Sequence, residues 1–178
     1  MKNVTISAAL LATALIAVLG GVALAQQDRS ALRIPDGLTF AEFKGYESLE
    51  TVTVTQNEGR LKIIAANPAM MRAFKSGLPA DGQAFPEGSR IVKLEYMRTV
   101  DQTSPAGPIA KPNGLQAIEF IVKDTKRFPN TKGWAYAFFA NDPAKQTTTP
   151  LGSGTICGFA CHGKVAGQDY IFNRYAPR

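Results

Sequence analysis

The chain gathers its soft-ligand chemistry into one stretch. Cys157-Gly158-Phe159-Ala160-Cys161-His162, near the C-terminus, contains both cysteines and the single histidine. Two thiols followed at once by an imidazole are what covalent attachment of a c-type haem requires. The thiols add across the two vinyl groups, and the imidazole beside the second thioether reaches the iron. The usual spelling is C-x-x-C-H; here the spacer has three residues, giving C-x-x-x-C-H, so it must arch further between two fixed vinyl carbons. The competing reading is a short-loop disulfide with an unrelated neighbouring histidine. A structural zinc site is poorer, since it wants four Cys or His ligands and the chain has three. On the haem reading Cys157, Cys161 and His162 are candidate cofactor-binding residues, and His162 is the candidate axial ligand of the iron. No disulfide is then available to brace the fold, which must rely on core burial and the buried porphyrin.

The N-terminus predicts export. Lys2 supplies a positive n-region, Ile6 to Val22 an apolar run, and Ala23-Leu24-Ala25 a small-residue cleavage site before Gln26. Residues 1–25 read as a signal peptide and 26–178 as a single domain. An uncleaved membrane anchor is the rival, but the run is near the lower limit for a spanning helix and is rich in Ala and Gly. Export fits haem attachment, which in bacteria takes place outside the cytoplasm, so a periplasmic location is expected. Twenty Lys and Arg against 14 Asp and Glu give a formal charge of +6, a mildly basic surface able to attract an acidic redox partner. No long Lys/Arg cluster interleaves with aromatics, so no nucleic-acid partner is expected.

Along the chain, Gln26 to Arg33 is polar and reads as a frayed end. Leu38, Phe40, Phe43 and Tyr46 suggest one face of a short helix. Strands are predicted over Glu50 to Thr55 and Leu61 to Ala66, joined by a turn at Asn57-Glu58-Gly59. Asn67-Pro68 opens the clearest helix, with a capping side chain and a proline at the first helical position, and Gly77 is placed to stop it. Arg90 to Val100 is a long strand with Ile91, Lys93, Glu95 and Met97 on one face and Val92, Leu94 and Tyr96 on the other. Thr103 to Gly114 reads as a surface excursion. Leu115 to Val122 and Trp134 to Ala140 are further strands. Asn141 to Gly154 reads as a connection, and Gln168 to Tyr175 as a last strand or extended segment. The balance is α+β: an antiparallel β-sheet flanked by short helices and carrying a covalently attached c-type haem.

These elements, in order, resemble the cytochrome P-460 family, which includes the cytochromes c′-β. The resemblance runs from about Leu38 to Tyr175. It rests on Asn67-Pro68, Phe85-Pro86-Glu87-Gly88 before Ile91-Val92-Lys93-Leu94-Glu95, and Glu119-Phe120-Ile121-Val122-Lys123-Asp124 before Arg127-Phe128. Gly133-Trp134-Ala135-Tyr136 and Cys161-His162 followed by Asp169-Tyr170-Ile171-Phe172 complete it. It implies a haem-bearing antiparallel sheet, a homodimer, and one of two activities. One branch carries a lysine-crosslinked haem and oxidises hydroxylamine to nitrous oxide or nitrite, passing electrons to a periplasmic acceptor. The other binds nitric oxide or carbon monoxide at an apolar distal face without turnover. Lys93 matches the crosslinking position and Lys62 falls near a basic distal position that hydroxylamine-oxidising members fill with arginine.

A lysine in the middle of a strand must snorkel, pair with Glu95 or Glu119, or be used chemically. Active members of the family can place a carboxylate just before the haem motif, whereas Pro143 to Ile156 has none, so a general base must come from elsewhere. One histidine leaves the iron five-coordinate, open to a small nitrogenous substrate or diatomic gas, unless Met70, Met71 or Met97 completes the coordination. Phe74, Phe85, Phe138 and Phe139 are the candidates for aromatic bulk near the haem. Asp169 and Arg174 are candidates to support His162 or the haem by hydrogen bonding.

Overall fold

The alternating patterns fold into one six-stranded antiparallel sheet whose strands lie in sequence order. The computed structural model describes residues 27–175 apart from 36, 81 and 153; the expected signal peptide lies outside the described residues. The strands are β1 (Glu50–Asn57), β2 (Arg60–Ala66), β3 (Arg90–Asp101), β4 (Ile109–Lys123), β5 (Trp134–Asp142) and β6 (Thr147–Pro150). Helix α1 (Pro68–Lys75), helix α2 (Gly154–His162) and several 3-10 turns flank them. The fold class is α+β, as the sequence implies. Among the described residues no helix is long and apolar enough to cross a membrane.

Local chemistry sets the joints. The β1–β2 hairpin turns at Glu58 and Gly59, both at positive φ (48° and 73°), the handedness that suits a tight hairpin. The Asn67 carboxamide oxygen accepts from the Met70 amide at 3.2 Å and from the Arg90 amide at 3.1 Å. One side chain thus caps α1 and ties it to the start of β3.

Register divides the sheet into two faces. On one, Val92, Ile118, Phe120, Ala135, Ala137 and Phe139 are sealed by Phe40, Phe43 and Tyr46. Phe120 is its hub, stacked on Phe43 with 3.9 Å between ring centroids and met edge-on by Phe40, Tyr46 and Phe139. On the other, Ile64, Ile91, Trp134 and Tyr136 pack with Met70, Met71, Phe74 and Phe85. The same face carries Lys62, Lys93, Glu95 and Glu119, because Lys62 lies opposite Glu95, and Lys93 opposite Ile64 and Glu119.

Several stretches depart from expectation. The segment 109–114, read as a surface excursion, belongs to β4, with Pro112 opposite Arg98. β4 pairs with β5 only from Ala117 onward, so Pro112 removes no ladder hydrogen bond on that side. Irregular pairing near Tyr96 and Gly114 at φ 69° absorb the glycine. β6 lies inside the expected connection. The polar N-terminal stretch is tied down: the Thr148 amide donates to the Gln27 side chain at 2.6 Å, and Gln27 donates back to the Thr148 carbonyl at 2.9 Å. Leu38 to Tyr46 forms two 3-10 turns, Phe40–Phe43 and Tyr46–Ser48, instead of one helix. Gln168 to Tyr175 forms no strand, because Asp169 and Tyr170 both take positive φ.

Phe120→Ala empties the hub of the sealed face and is expected to lower the unfolding free energy by about 3–5 kcal/mol in chemical denaturation. A loss below about 1 kcal/mol would contradict that role.

Candidate functional site

Helix α2 carries the cysteines and the histidine. At about 100° per residue, the four-residue step from Cys157 to Cys161 ends about 40° past a full turn. The longer spacer therefore leaves both side chains on one helix face. Both thiols are exposed and no disulfide joins them. His162 comes about 100° further round, where its ring meets Tyr136 and Phe172 at 4.8 and 4.9 Å between centroids.

Two glycines bring this helix onto the sheet. A Cβ on Gly154 would lie 2.6 Å from the Tyr136 carbonyl oxygen, and one on Gly158 would lie 2.3 Å from Cγ of Tyr136. Between them, the Thr155 hydroxyl accepts from the Tyr136 amide at 3.2 Å and donates to its carbonyl at 3.3 Å. β6 pairs with β5 only along Phe139–Asp142, so α2 satisfies the edge that β6 leaves uncovered.

Nδ1 of His162 lies 2.6 Å from the carbonyl oxygen of Tyr170. A carbonyl only accepts, so Nδ1 carries the proton and Nε2 keeps its lone pair. Burial pulls the imidazole pKa down; the Tyr170 hydrogen bond opposes this and the Lys93 cation adds to it. The ring is therefore neutral at pH 7, as a metal ligand must be. The Tyr170 carbonyl is aimed by two non-glycine residues at positive φ, Asp169 (47°) and Tyr170 (63°), a conformation costing about 1–2 kcal/mol apiece.

Two cavities meet at the imidazole. One of about 430 Å³ is lined by Cys157, Cys161, His162, Lys93, Glu119 and Phe138, among others. The second, of about 360 Å³, is lined by Lys62, Lys93, Glu119, His162 and Phe172, among others. Both sizes suit a cofactor pocket. A chain of alternating charge crosses them: Lys62 to Glu95 at 3.2 Å, Glu95 to Lys93 at 3.2 Å, and Lys93 to Glu119 at 2.7 Å. Burial opposes the Lys93 charge, but Glu119 and Glu95 outweigh it and raise its pKa. Glu95 is likewise penalised by burial, yet its two lysines hold its pKa below the usual value. Glu119 goes the other way. Burial dominates there, Lys93 only partly compensates, and the carboxyl pKa is raised.

The predicted residues converge unevenly. Cys157, Cys161, His162 and Lys93 share the first cavity, while Lys62 reaches only the second. Lys93 pairs with both expected carboxylates. Met70 and Met71 are buried on the core side of α1 and Met97 is exposed; none of them lines a cavity containing His162. Of the four candidate phenylalanines only Phe138 lines the site, Phe74, Phe85 and Phe139 being core residues. Arg174 is exposed and lines a separate groove with Phe74 and Tyr175. Sequence reasoning missed Phe172 and treated Glu119 only as a partner for Lys93. Strand alternation carried the signal for Glu119, since Glu119, Ile121 and Lys123 share the face of Lys93.

The donor set fits a haem: two thiols on one helix face, a neutral imidazole with an available Nε2, and adjoining cavity space. Among the described residues no group of three or more His, Cys, Asp or Glu is placed to hold a metal ion by itself. Sheet and site together define a haem-binding β-sheet protein. Residues 42–173 match the family described as Cytochrome P460, so the chain belongs to the cytochrome P460 family and is a haem protein of that family. No curated protein matches it.

Gly158→Ala drives a methyl group into Tyr136. The expected result is a loss of about 1–3 kcal/mol in stability by denaturant titration, with a disturbed His162 signal in NMR. Carboxyl ¹³C titration checks the pair: on acidification Glu119 should protonate before Glu95. Glu95, with its depressed folded pKa, contributes stability above the ordinary glutamate range that is lost as pH falls through that folded value. Glu119 has the opposite sign, its contribution declining as pH rises towards its raised folded value.

Proposed function

We propose that this is a periplasmic c-type mono-haem protein that oxidises hydroxylamine, with the haem tethered through Cys157 and Cys161 and its iron held by His162. The observation that carries this reading is the Lys93–Glu119 pair on the wall of the cavity shared with both thiols and the imidazole. Haem, when bound, supplies the redox centre that takes electrons from substrate towards an external acceptor. The chain supplies the rest. His162 presents Nε2 while its Nδ1 proton stays on Tyr170. Phe138, Leu151 and Phe172 give the cavity its apolar walls. Glu119, a half-buried carboxylate with a raised pKa, accepts protons from hydroxylamine, the part that no residue of 143–156 can play. Lys62 and Glu95 hold the outer end of the charge chain and keep Lys93 oriented.

Lys93, on the wall of the same cavity, is the residue we propose for a bond to the porphyrin edge. Such a bond would replace one hydrogen on Nζ and one on the porphyrin edge, so it would need an external two-electron oxidant as well as loss of the ammonium proton, for which Glu119 Oε1, 2.7 Å from Nζ, is the nearest carboxylate acceptor. The same apolar walls favour a second reading, a nitric oxide or carbon monoxide binder of the cytochrome c′-β kind, in which Lys93 remains an ion-pair partner. A homodimer, as in the family, belongs to both.

The test begins with the mass of the exported, denatured polypeptide, which should exceed the bare mature chain by one haem, less the hydrogens lost if Lys93 is bonded. A red-displaced ferrous Soret band in the parent and an ordinary one in Lys93→Ala would support the crosslink. Steady hydroxylamine turnover with an artificial acceptor, falling about 100-fold or more in Glu119→Gln, would support the oxidase. Tight gas binding with no turnover would leave the second reading, and a bare chain would remove both.

A further inference from the structure

The sole imidazole is held by a backbone carbonyl, and that carbonyl sits in a turn that would not keep its shape unaided. Asp169 and Tyr170 are consecutive non-glycine residues at φ 47° and 63°. Backbone bonds within the turn run from Asp169 to Ala166, from Tyr170 to Val165 and from Ile171 to Gln168, at 3.1 to 3.2 Å. They close the turn without anchoring it to the sheet. The anchor is the Asp169 carboxylate. Oδ2 accepts from the Phe85 amide at 2.7 Å and from the ammonium of Lys123, and Oδ1 accepts from the indole N–H of Trp134 at 3.2 Å. All three donors belong to the body of the fold. Lys123 and Trp134 face each other on β4 and β5, and Lys123 is only 4 % exposed, with its ammonium 5.0 Å from the centre of the Trp134 ring. A lysine so deeply buried keeps its charge only with a partner, and Asp169 is that partner.

We propose that Asp169 is a positioning residue for the iron ligand: clamped by Lys123, Trp134 and the Phe85 amide, it locks the left-handed turn that points the Tyr170 carbonyl at Nδ1 of His162. The inference rests on His162 being the iron ligand. The reach is short and rigid: carboxylate to Asp169 backbone, across one peptide to Tyr170, then 2.6 Å to the imidazole. A strong Nδ1–H···O bond gives the ring imidazolate character, makes Nε2 a better donor to iron, and favours the ferric state. Loosening the clamp lengthens that bond without touching the ligand. Tyr136 and Phe172 hold the ring by its faces and edges, so the imidazole stays in place while its electron donation falls.

The test compares the parent with Asp169→Asn, Trp134→Phe and Tyr170→Phe. Asp169→Asn removes the charge that balances Lys123. Trp134→Phe keeps an aromatic ring and removes one donor, so it serves if the first variant folds poorly. Tyr170→Phe is the control, because it keeps the carbonyl. In the ferrous holoprotein the Fe–His stretch should move to lower frequency in Asp169→Asn, less so in Trp134→Phe, with the reduction potential rising in the same order. Tyr170→Phe should match the parent. The haem-free chain gives an independent reading, because a tag-free preparation has one histidine and hence one imidazole in its ¹⁵N spectrum. The parent should show the Nδ1–H tautomer, and Asp169→Asn should exchange that proton about 10-fold faster or more. Variants that melt earlier yet keep the parent's Fe–His frequency, potential and imidazole exchange would make Asp169 a fold brace only and overturn the inference. If the parent proves to carry no haem, the proposed function fails, while imidazole tautomer and exchange still decide whether Asp169 positions the ring.

Discussion

The distance between α2 and β5 governs the site. With no side chain at Gly154 or Gly158, the helix backbone rests directly on Tyr136, and Thr155 completes the hydrogen bonding of the strand edge. Two consequences follow from this close approach. His162, at the C-terminal end of the helix, falls low enough to meet Tyr136 and the Tyr170 carbonyl instead of projecting into solvent. The cysteines, on a different side of the same helix, remain exposed. A single packing decision thereby sorts three neighbouring reactive groups into one half-buried imidazole and two exposed thiols.

The opposite face of the sheet explains why the site face can be polar. Phe120 and its aromatic ring of neighbours close an apolar core, and that core can hold the sheet together by burial alone. The site face is then free to carry Lys62, Lys93, Glu95 and Glu119 in its middle. Partly buried ion pairs of this kind add little net stability, since desolvation offsets much of the attraction. Stability is a weak reason for four charged side chains to stand beside a cavity, and chemistry in that cavity is a better one.

Much of this was legible from residue order. Asn67-Pro68 marked α1, alternation along Arg90 to Val100 put Lys93 and Glu95 on one face, and the clustering of Cys157, Cys161 and His162 marked the site. What stayed hidden depends on contacts distant in sequence. β6 is short and Thr-rich, and it is a strand only because β5 offers an edge. Segment 109–113 contains a proline, and it is a strand only because β3 extends beside it. The stretch after Gln168 reads by composition as a strand or an extended segment, but Asp169 finds three donors from elsewhere in the chain, and with them the chain turns at Asp169 and Tyr170 before running on without a strand. Glu119 was hidden by a different cause: it is far in sequence from the cysteines and the histidine, and only the pairing of β3 with β4 brings it to the cavity they line.

The two lysines on the site face show how partner count divides scaffold from chemistry. Lys123 and Asp169 form a closed pair, because the carboxylate is filled by the Phe85 amide and the Trp134 indole as well as by the ammonium. Both carboxylate oxygens are engaged, and neither partner lines the cavities that contain His162. Lys93 is shared between two carboxylates, and only Glu95 has a second cation in Lys62. Glu119 is therefore the member with a single cationic partner and the heavier burial penalty, and its raised pKa is the result. Without the charge of Glu119, Lys62 and Lys93 would be left to share Glu95, so the chain is least evenly balanced at its Glu119 end. That end is the one that opens onto the thiols and the imidazole.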